Sequence, residues 1–181
     1  MTRSLQTVMS FSGLQLTPFA LLNEDQKVFV WEMRTHPEVG RWMATGGEIP
    51  LPSHLAYMAR QADDPLNANY LASDAAGVVG VVSLHRIDTA THSADLGIYR
   101  NPFRTERGLG TRLLAAICEV AFGPGNLEIF RLEVASDNVA AISLYGRAGF
   151  ILQGSCEKDP NLLSMTLARA DWAEHQETAH G

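Results

Sequence analysis

Gly108 and Gly110, with Arg104, Arg107 and Arg112 around them, are the residues of this 181-residue chain best suited to hold an anion. Glycine lets the backbone approach a ligand closely, and a helix N-terminus offers unpaired N–H groups and a positive dipole end. A helix is predicted directly after the pair, because Leu109, Leu113, Ala116, Ile117 and Val120 recur at helical spacing. The expected ligand is a phosphate or pyrophosphate. A tight strand-to-helix turn would call for the same glycines, so the pair alone is weak evidence.

Glu133 is a second chemical candidate. In the strand predicted over Leu127 to Ala135, Phe130, Leu132 and Val134 share one face, while Arg131, Glu133 and Ala135 share the other. A carboxylate in mid-strand of a sheet covered by helices is uncommon, which suits a base facing a cleft; a salt bridge to Arg131 would explain it as well. Ser83 interrupts an apolar strand, as a reactive or an ordinary satisfied hydroxyl would. The six histidines are dispersed and no Cys/His cluster has metal-ligand spacing, so no metal is expected.

Composition narrows the partners. A net charge of −6 with scattered basic residues argues against nucleic acid or an anionic membrane as a general partner. The apolar run Val78 to Leu84 is far too short to span a bilayer. No basic region followed by an apolar core and cleavage site is visible at the N-terminus, so a cytoplasmic location is expected. Two cysteines, Cys118 and Cys156, fit reduced thiols, with Cys118 on an apolar helix face.

The elements that must position these residues follow from periodicity and breakers. Gly13 to Phe19 reads as an edge strand ending at Pro18. Asn23 caps a helix over Glu24 to Arg34, His36-Pro37 interrupts it, and a short helical piece follows over Glu38 to Met43. After a loop from Ala44 to Pro52, Ser53 is predicted to cap a helix to about Gln61 with Leu55 and Met58 inward. Strands are predicted over Asn69 to Ser73, Val78 to Arg86 and His92 to Tyr99, with a hairpin turn at Asp74 to Gly77. Asp137 or Asn138 caps a helix closed by Gly149, and two last strands cover Phe150 to Glu157 and Asn161 to Ala168. The expectation is one α/β domain over 1–170, with a mixed sheet of about seven strands flanked by helices, and a flexible polar tail over 171–181.

Two segments, RGLGTRLL (Arg107–Leu114) and DNVAAISLYGRAGF (Asp137–Phe150), together resemble the GCN5-related N-acetyltransferase (GNAT) superfamily. The second is the more specific, with Asn, Ala-Ile, Leu-Tyr and Gly-Phe at the family's spacing. The resemblance implies a mostly antiparallel sheet with a splayed centre, and transfer of acetyl from acetyl-coenzyme A to an amine without a metal. It implies that Leu96, Gly97 and Ile98 line the thioester, with a backbone N–H near Gly97 to Tyr99 polarising its carbonyl. It further implies that Arg104, Thr105, Arg107, Gly108, Leu109, Gly110 and Thr111 form the pyrophosphate arm. The family's arm usually reads Gln/Arg-x-x-Gly-x-Gly/Ala. Here Thr105 takes the Gln/Arg position and Arg104 stands one residue earlier. Tyr145, on one helical face with Asn138, is the implied acid for the leaving thiolate; a core tyrosine and a plain helix cap are the simpler readings of the two.

Four further segments, MRTHPEVGRWM (Met33–Met43), SHLAYM (Ser53–Met58), LGIYRNPF (Leu96–Phe103) and LEVASDN (Leu132–Asn138), resemble N-acetyltransferases of the bacterial pseudaminic acid pathway. Those enzymes acetylate the 4-amino group of a UDP-linked 4-amino-4,6-dideoxy sugar whose product decorates flagellin. This resemblance places Glu133, Ser83 and Tyr99 near the reacting amine and Arg34, Trp42, His54, His85, Arg86 and Tyr99 around a nucleotide-sugar acceptor. Each of the latter also has an ordinary structural explanation, and His85-Arg86 stands where the relatives tend to carry Thr-Lys. A protein N-terminus as acceptor, and a non-catalytic coenzyme A-binding module, are the alternatives. Free sheet edges leave room for a homodimer.

Overall fold

Ser12 and Gly13 both have positive φ, 50° and 69°, and close a two-residue hairpin between β1 (Met9–Phe11) and β2 (Leu14–Pro18). The sequence reading has β2 as the edge strand. In the computed structural model, which describes residues 5–43 and 48–180 with side chains to Gln176, β1 lies outside it. The sheet therefore has eight strands. Beyond β2 come α1 (Glu24–Thr35), α2 (Pro37–Gly40) and α3 (Leu51–Ala59), then β3 (Ala68–Asp74), β4 (Gly77–Asp88) and β5 (Ser93–Arg100). α4 (Leu109–Phe122), β6 (Ile129–Ala135), α5 (Val139–Arg147), β7 (Ile151–Cys156), β8 (Asp159–Ala168) and α6 (Arg169–His180) complete the chain.

Strand order is β1-β2-β3-β4-β5-β6-β8-β7, antiparallel throughout except between β5 and β6. That one parallel pair is forced by the α4 crossover, since a parallel neighbour cannot be reached by a tight turn. Capping follows the sequence at two helices. Asn23 and Gln26 form a reciprocal capping box on α1, and the Asn138 carboxamide accepts from the Ala141 N–H on α5. α3 departs from expectation: it begins at Leu51 after Pro50, and Ser53 lies inside it, because Pro50 and Pro52 set the first turn without a side-chain cap. Gly46 and Gly47 of the preceding loop lie outside the described residues.

Two apolar layers hold the sheet. On one face Leu113, Leu114 and Ile117 of α4 are buried against Val82, Leu84, Phe130 and Leu132. On the other, Val30, Met33 and Met58 from α1 and α3 cover Leu71 and Val81. Each such side chain contributes about 1.5–3 kcal/mol on burial. Gly80 permits the close approach of β5 and α4, since a Cβ there would fall 2.4 Å from the Tyr99 carbonyl oxygen and 2.8 Å from Leu113. The chain after Ala168 is helical as α6. Trp172 stacks on Phe122 at 6.3 Å, and Arg169 bonds Glu128.

Candidate active site

Pairing between β5 and β6 stops after three residue pairs, the last being Asp95 with Arg131. β6 continues to pair with β8 as far as Ala135, and β5 with β4 as far as Arg100. The two strands thus part beyond Asp95, and the backbone groups of Leu96 to Tyr99 on that side are left for a ligand. Asp95, buried, sits at the apex. Its carboxylate accepts from Arg131 Nε at 2.9 Å and from Arg86. This pairing of β4, β5 and β6 through one carboxylate fixes where the sheet opens.

A cleft of about 270 Å3 fills the opening. Ile98, Tyr99, Gly110, Asn138, Leu144 and Tyr145 line it, and Val39, Arg41 and Trp42 from the α2 end form its rim. Gly108 begins α4 with φ of 82°, a conformation that favours glycine, and no side chain caps the helix. The first N–H groups of α4, at Leu109, Gly110 and Thr111, are therefore open to an anion. Thr105 and Arg107 are exposed, and Arg107 makes no ion pair among the described residues. Gly110 sits tightly under α5, with Leu144 3.4 Å from where a Cβ would stand. An uncapped helix start, a left-handed glycine and an exposed arginine fit a pyrophosphate, and the narrow cleft beyond fits a thin apolar arm.

Arg104 is committed elsewhere. Its guanidinium pairs with Asp74 at 2.9 Å and with Glu106 at 2.7 Å. Asp74 also receives Arg112 at 2.8 Å, and Arg112 donates to the Gly13 carbonyl. These two arginines hold the Asp74 carboxyl well below the usual range. The β3–β4 hairpin tip thereby braces both ends of the glycine arm. The sequence reading misses Asp74, which looks like an ordinary turn residue; nothing local in the sequence marks its reach to residues so far along the chain.

Asn138 and Tyr145 face the cleft together, as the helical spacing predicts. The Tyr145 side chain is buried beside Phe150, with ring centroids 5.8 Å apart. Among the described residues its hydroxyl has no hydrogen-bond partner, and burial pushes its pKa up to about 12. It is thus a protonated phenol with its donor free.

On the α1–α3 face of the sheet, Ser83 pairs opposite Gly97, and Tyr99 lies one pleat further along β5. Burial raises the Tyr99 phenol, with Arg34 of α1 acting against it. Burial also lowers the Arg34 guanidinium. His54 is buried on α3 with Nε2 3.1 Å from the Lys27 carbonyl oxygen; burial, with Arg34 nearby, lowers its pKa. Arg34, His54 and Tyr99 are therefore brought together, and Trp42 stands at the rim with Arg41 stacked 5.0 Å over its ring. His85 turns Nδ1 to Asn67, and Arg86 is an exposed side chain bound to Asp95. Glu133 is exposed on β6 and does not line the cleft. The thiol of Cys156 lies against its carboxylate, which helps burial to raise that thiol. Sequence reasoning also misses a buried network in which Asn69 donates to Gln61 and to the Tyr57 hydroxyl at 3.3 Å.

Comparison with known proteins agrees with this geometry. A relative called acetyltransferase PseH from Campylobacter jejuni is 23% identical over 158 residues, covering 87% of this chain and 96% of that protein. An L-amino acid N-acetyltransferase, AaaT, from Escherichia coli is 27% identical over 61% of this chain and 70% of its own. Among solved structures, a spermidine N-acetyltransferase from Vibrio cholerae, in complex with CoA and spermine, superposes with a TM-score of 0.81. It is 19% identical and covers 90% of this chain and 99% of its own. C. jejuni PseH in complex with acetyl coenzyme A superposes with a TM-score of 0.68 at 20% identity, covering 86% and 98%. The acetyltransferase (GNAT) domain family matches residues 14–151, which contain the splayed strands, the glycine arm and the Asn138–Tyr145 pair. An uncapped anion cradle opening onto a parted sheet is what acetyl-coenzyme A requires, and the chain belongs to the GNAT family of acetyl-CoA-dependent N-acetyltransferases.

Proposed function

We propose that the acceptor is a nucleotide-linked amino sugar, and that the chain acetylates the 4-amino group of a UDP-linked 4-amino-4,6-dideoxy-N-acetyl-altrosamine in pseudaminic acid biosynthesis. The observation that carries this reading is the match to PseH along almost the whole of both chains. The charge of the acceptor side supports it. Arg34 lies on that face, and Arg41 and Arg100 line the cleft beside the carboxylate of Glu38. A nucleoside diphosphate needs cationic donors, whereas a polyamine or a basic peptide needs carboxylates.

Bound acetyl-coenzyme A supplies an activated thioester. The chain's own residues then meet three needs. The parted edge of β5 at Leu96 to Tyr99 presents backbone N–H groups toward a carbonyl. The cleft between Tyr99 and Tyr145 holds the two reactants together, so that the amine attacks directly in a ternary complex. Tyr145 donates the proton that the departing thiolate needs, and Asn138 holds the start of α5 beside it. On the resemblance, Ser83 and Tyr99 stand near the amine.

Release of free thiol from acetyl-coenzyme A tests the assignment, with the altro-configured UDP-4-amino sugar run beside its gluco counterpart, spermidine and a basic ribosomal-protein peptide. Turnover confined to the altro sugar is expected. Acetylation of spermidine or the peptide alone would overturn the acceptor and leave the acetyltransferase core standing.

A further inference from the structure

His85 is a further candidate for the base that takes the proton from the amine. His85 Nδ1 lies 3.0 Å from Asn67 Oδ1. The orientation of that carboxamide is fixed independently, since Asn67 Nδ2 donates to Asp64 Oδ2 at 2.8 Å. Asp64 is in turn held by the Leu66 N–H at 2.9 Å. An acceptor oxygen facing Nδ1 requires Nδ1 to carry hydrogen, and Nε2 of the neutral ring then bears the lone pair. Nε2 lies over Gly97, in the middle of the parted β5 segment. A Cβ built on Gly97 would fall 2.5 Å from it and 3.1 Å from Ser83 Cβ. Glycine at this position leaves the room that the imidazole occupies.

We propose that His85 is the general base of the reaction, positioned by an Asp64–Asn67 relay. As the amine nitrogen bonds to the thioester carbonyl carbon, its proton passes to His85 Nε2. The C–S bond breaks, and the sulfur takes its proton from Tyr145. The imidazolium returns its proton through solvent while the phenolate recovers one, so the net reaction is amine plus thioester to amide plus thiol. Other charged groups face the ring. Asp95 on β5 and Asp64 favour its protonated form, and Arg86 on β4 opposes it. Arg131 on β6 neutralises part of Asp95. Burial is the largest influence and keeps the ring neutral. The proposal rests on the acetyltransferase activity and not on the identity of the acceptor.

Two measurements on the full chain test it. Long-range proton–nitrogen NMR of the histidine rings, without ligand and near neutral pH, should show His85 with hydrogen on Nδ1 and none on Nε2, and Asn67→Leu should abolish that bias. An Nε2–H ring in the parent chain would overturn the proposal. In kinetics, with whichever amine turns over, His85→Gln should lower kcat roughly 10²–10⁴-fold and remove the acid limb of the pH profile. The KM for acetyl-coenzyme A should be unchanged, and imidazole should partly rescue His85→Ala. Glu133→Gln should lower kcat little. The reverse ranking of the two variants would return the role to Glu133. Failure of the amino sugar as a substrate leaves both readouts intact, because the NMR needs no acceptor and the kinetics accept any amine.

Discussion

Replacing Tyr145 by Phe removes one oxygen atom from the cleft and nothing else. The Tyr145 hydroxyl has no hydrogen-bond partner among the described residues, so its loss strands none of them. The ring keeps its contact with Phe150 at 5.8 Å and its place on the buried side of α5. Stability should therefore change by less than about 0.5 kcal/mol, and the melting temperature should stay within a few degrees. Loss of a positioned acid costs roughly 10²–10⁴ in rate, or about 2.7–5.4 kcal/mol of barrier at 1.36 kcal/mol per decade. Burial pushes the phenol up to about 12, so the parent enzyme should show no basic limb from this group across the neutral and mildly alkaline range. The assay is continuous thiol release at saturating acceptor, paired with calorimetric binding of acetyl-coenzyme A. A drop in kcat with unchanged affinity is expected. Turnover within twofold of the parent, in a protein that melts at the parent temperature, would refute the acid role and leave Tyr145 as a core residue.

Gly97→Ala should collide with the His85 ring, since the new Cβ lies 2.5 Å from Nε2; kcat should fall while coenzyme A affinity holds, as read by steady-state kinetics and calorimetry. Asp74→Asn should release Arg104 and Arg112 from the glycine arm and raise the KM for acetyl-coenzyme A roughly tenfold with kcat little changed. His54 and His85 both have folded pKa values below the ordinary 6.5, so the unfolded chain binds protons first as pH falls. Stability should accordingly be highest above that value and decline from about pH 7 toward 5, and His54→Asn should flatten the decline in a melting series. Trp172→Ala should cost about 2 kcal/mol by denaturant titration, less than a fully buried Trp, because the side chain is half-buried against Phe122. A null result there would mean that α6 contributes nothing to the core.

Several features whose physical cause is local in the chain are legible in the sequence. Gly108 stands at a left-handed helix start, Asn138 at a cap, and Tyr145 and Asn138 on one helical face, each because backbone geometry restricts residue type within a few positions. The α/β class and the apolar face of α4 follow from the same local rules, and the GNAT resemblance from the residues of two short segments. Local rules misplaced the α3 cap at Ser53 because two prolines set that turn, and they missed β1 because three residues carry too little alternation to register. They read the chain beyond Ala170 as a polar tail, and the structure carries α6 there, with Trp172 against Phe122.

Tertiary structure alone decided what the charged residues do. Arg104 and Arg112 stand beside the glycine arm in the sequence, yet Asp74, far back in the chain, claims both. Glu133 has the alternation of a cleft carboxylate, but the cleft is set by where β5 and β6 part, and the carboxylate lies against Cys156. His85 acquires a tautomer only through Asn67 and Asp64, and room only through Gly97 on the neighbouring strand. Backbone preferences act over a few residues and are written locally. Electrostatic pairing and proton placement depend on distance in space, which the chain settles only once the sheet has closed its register and opened its centre.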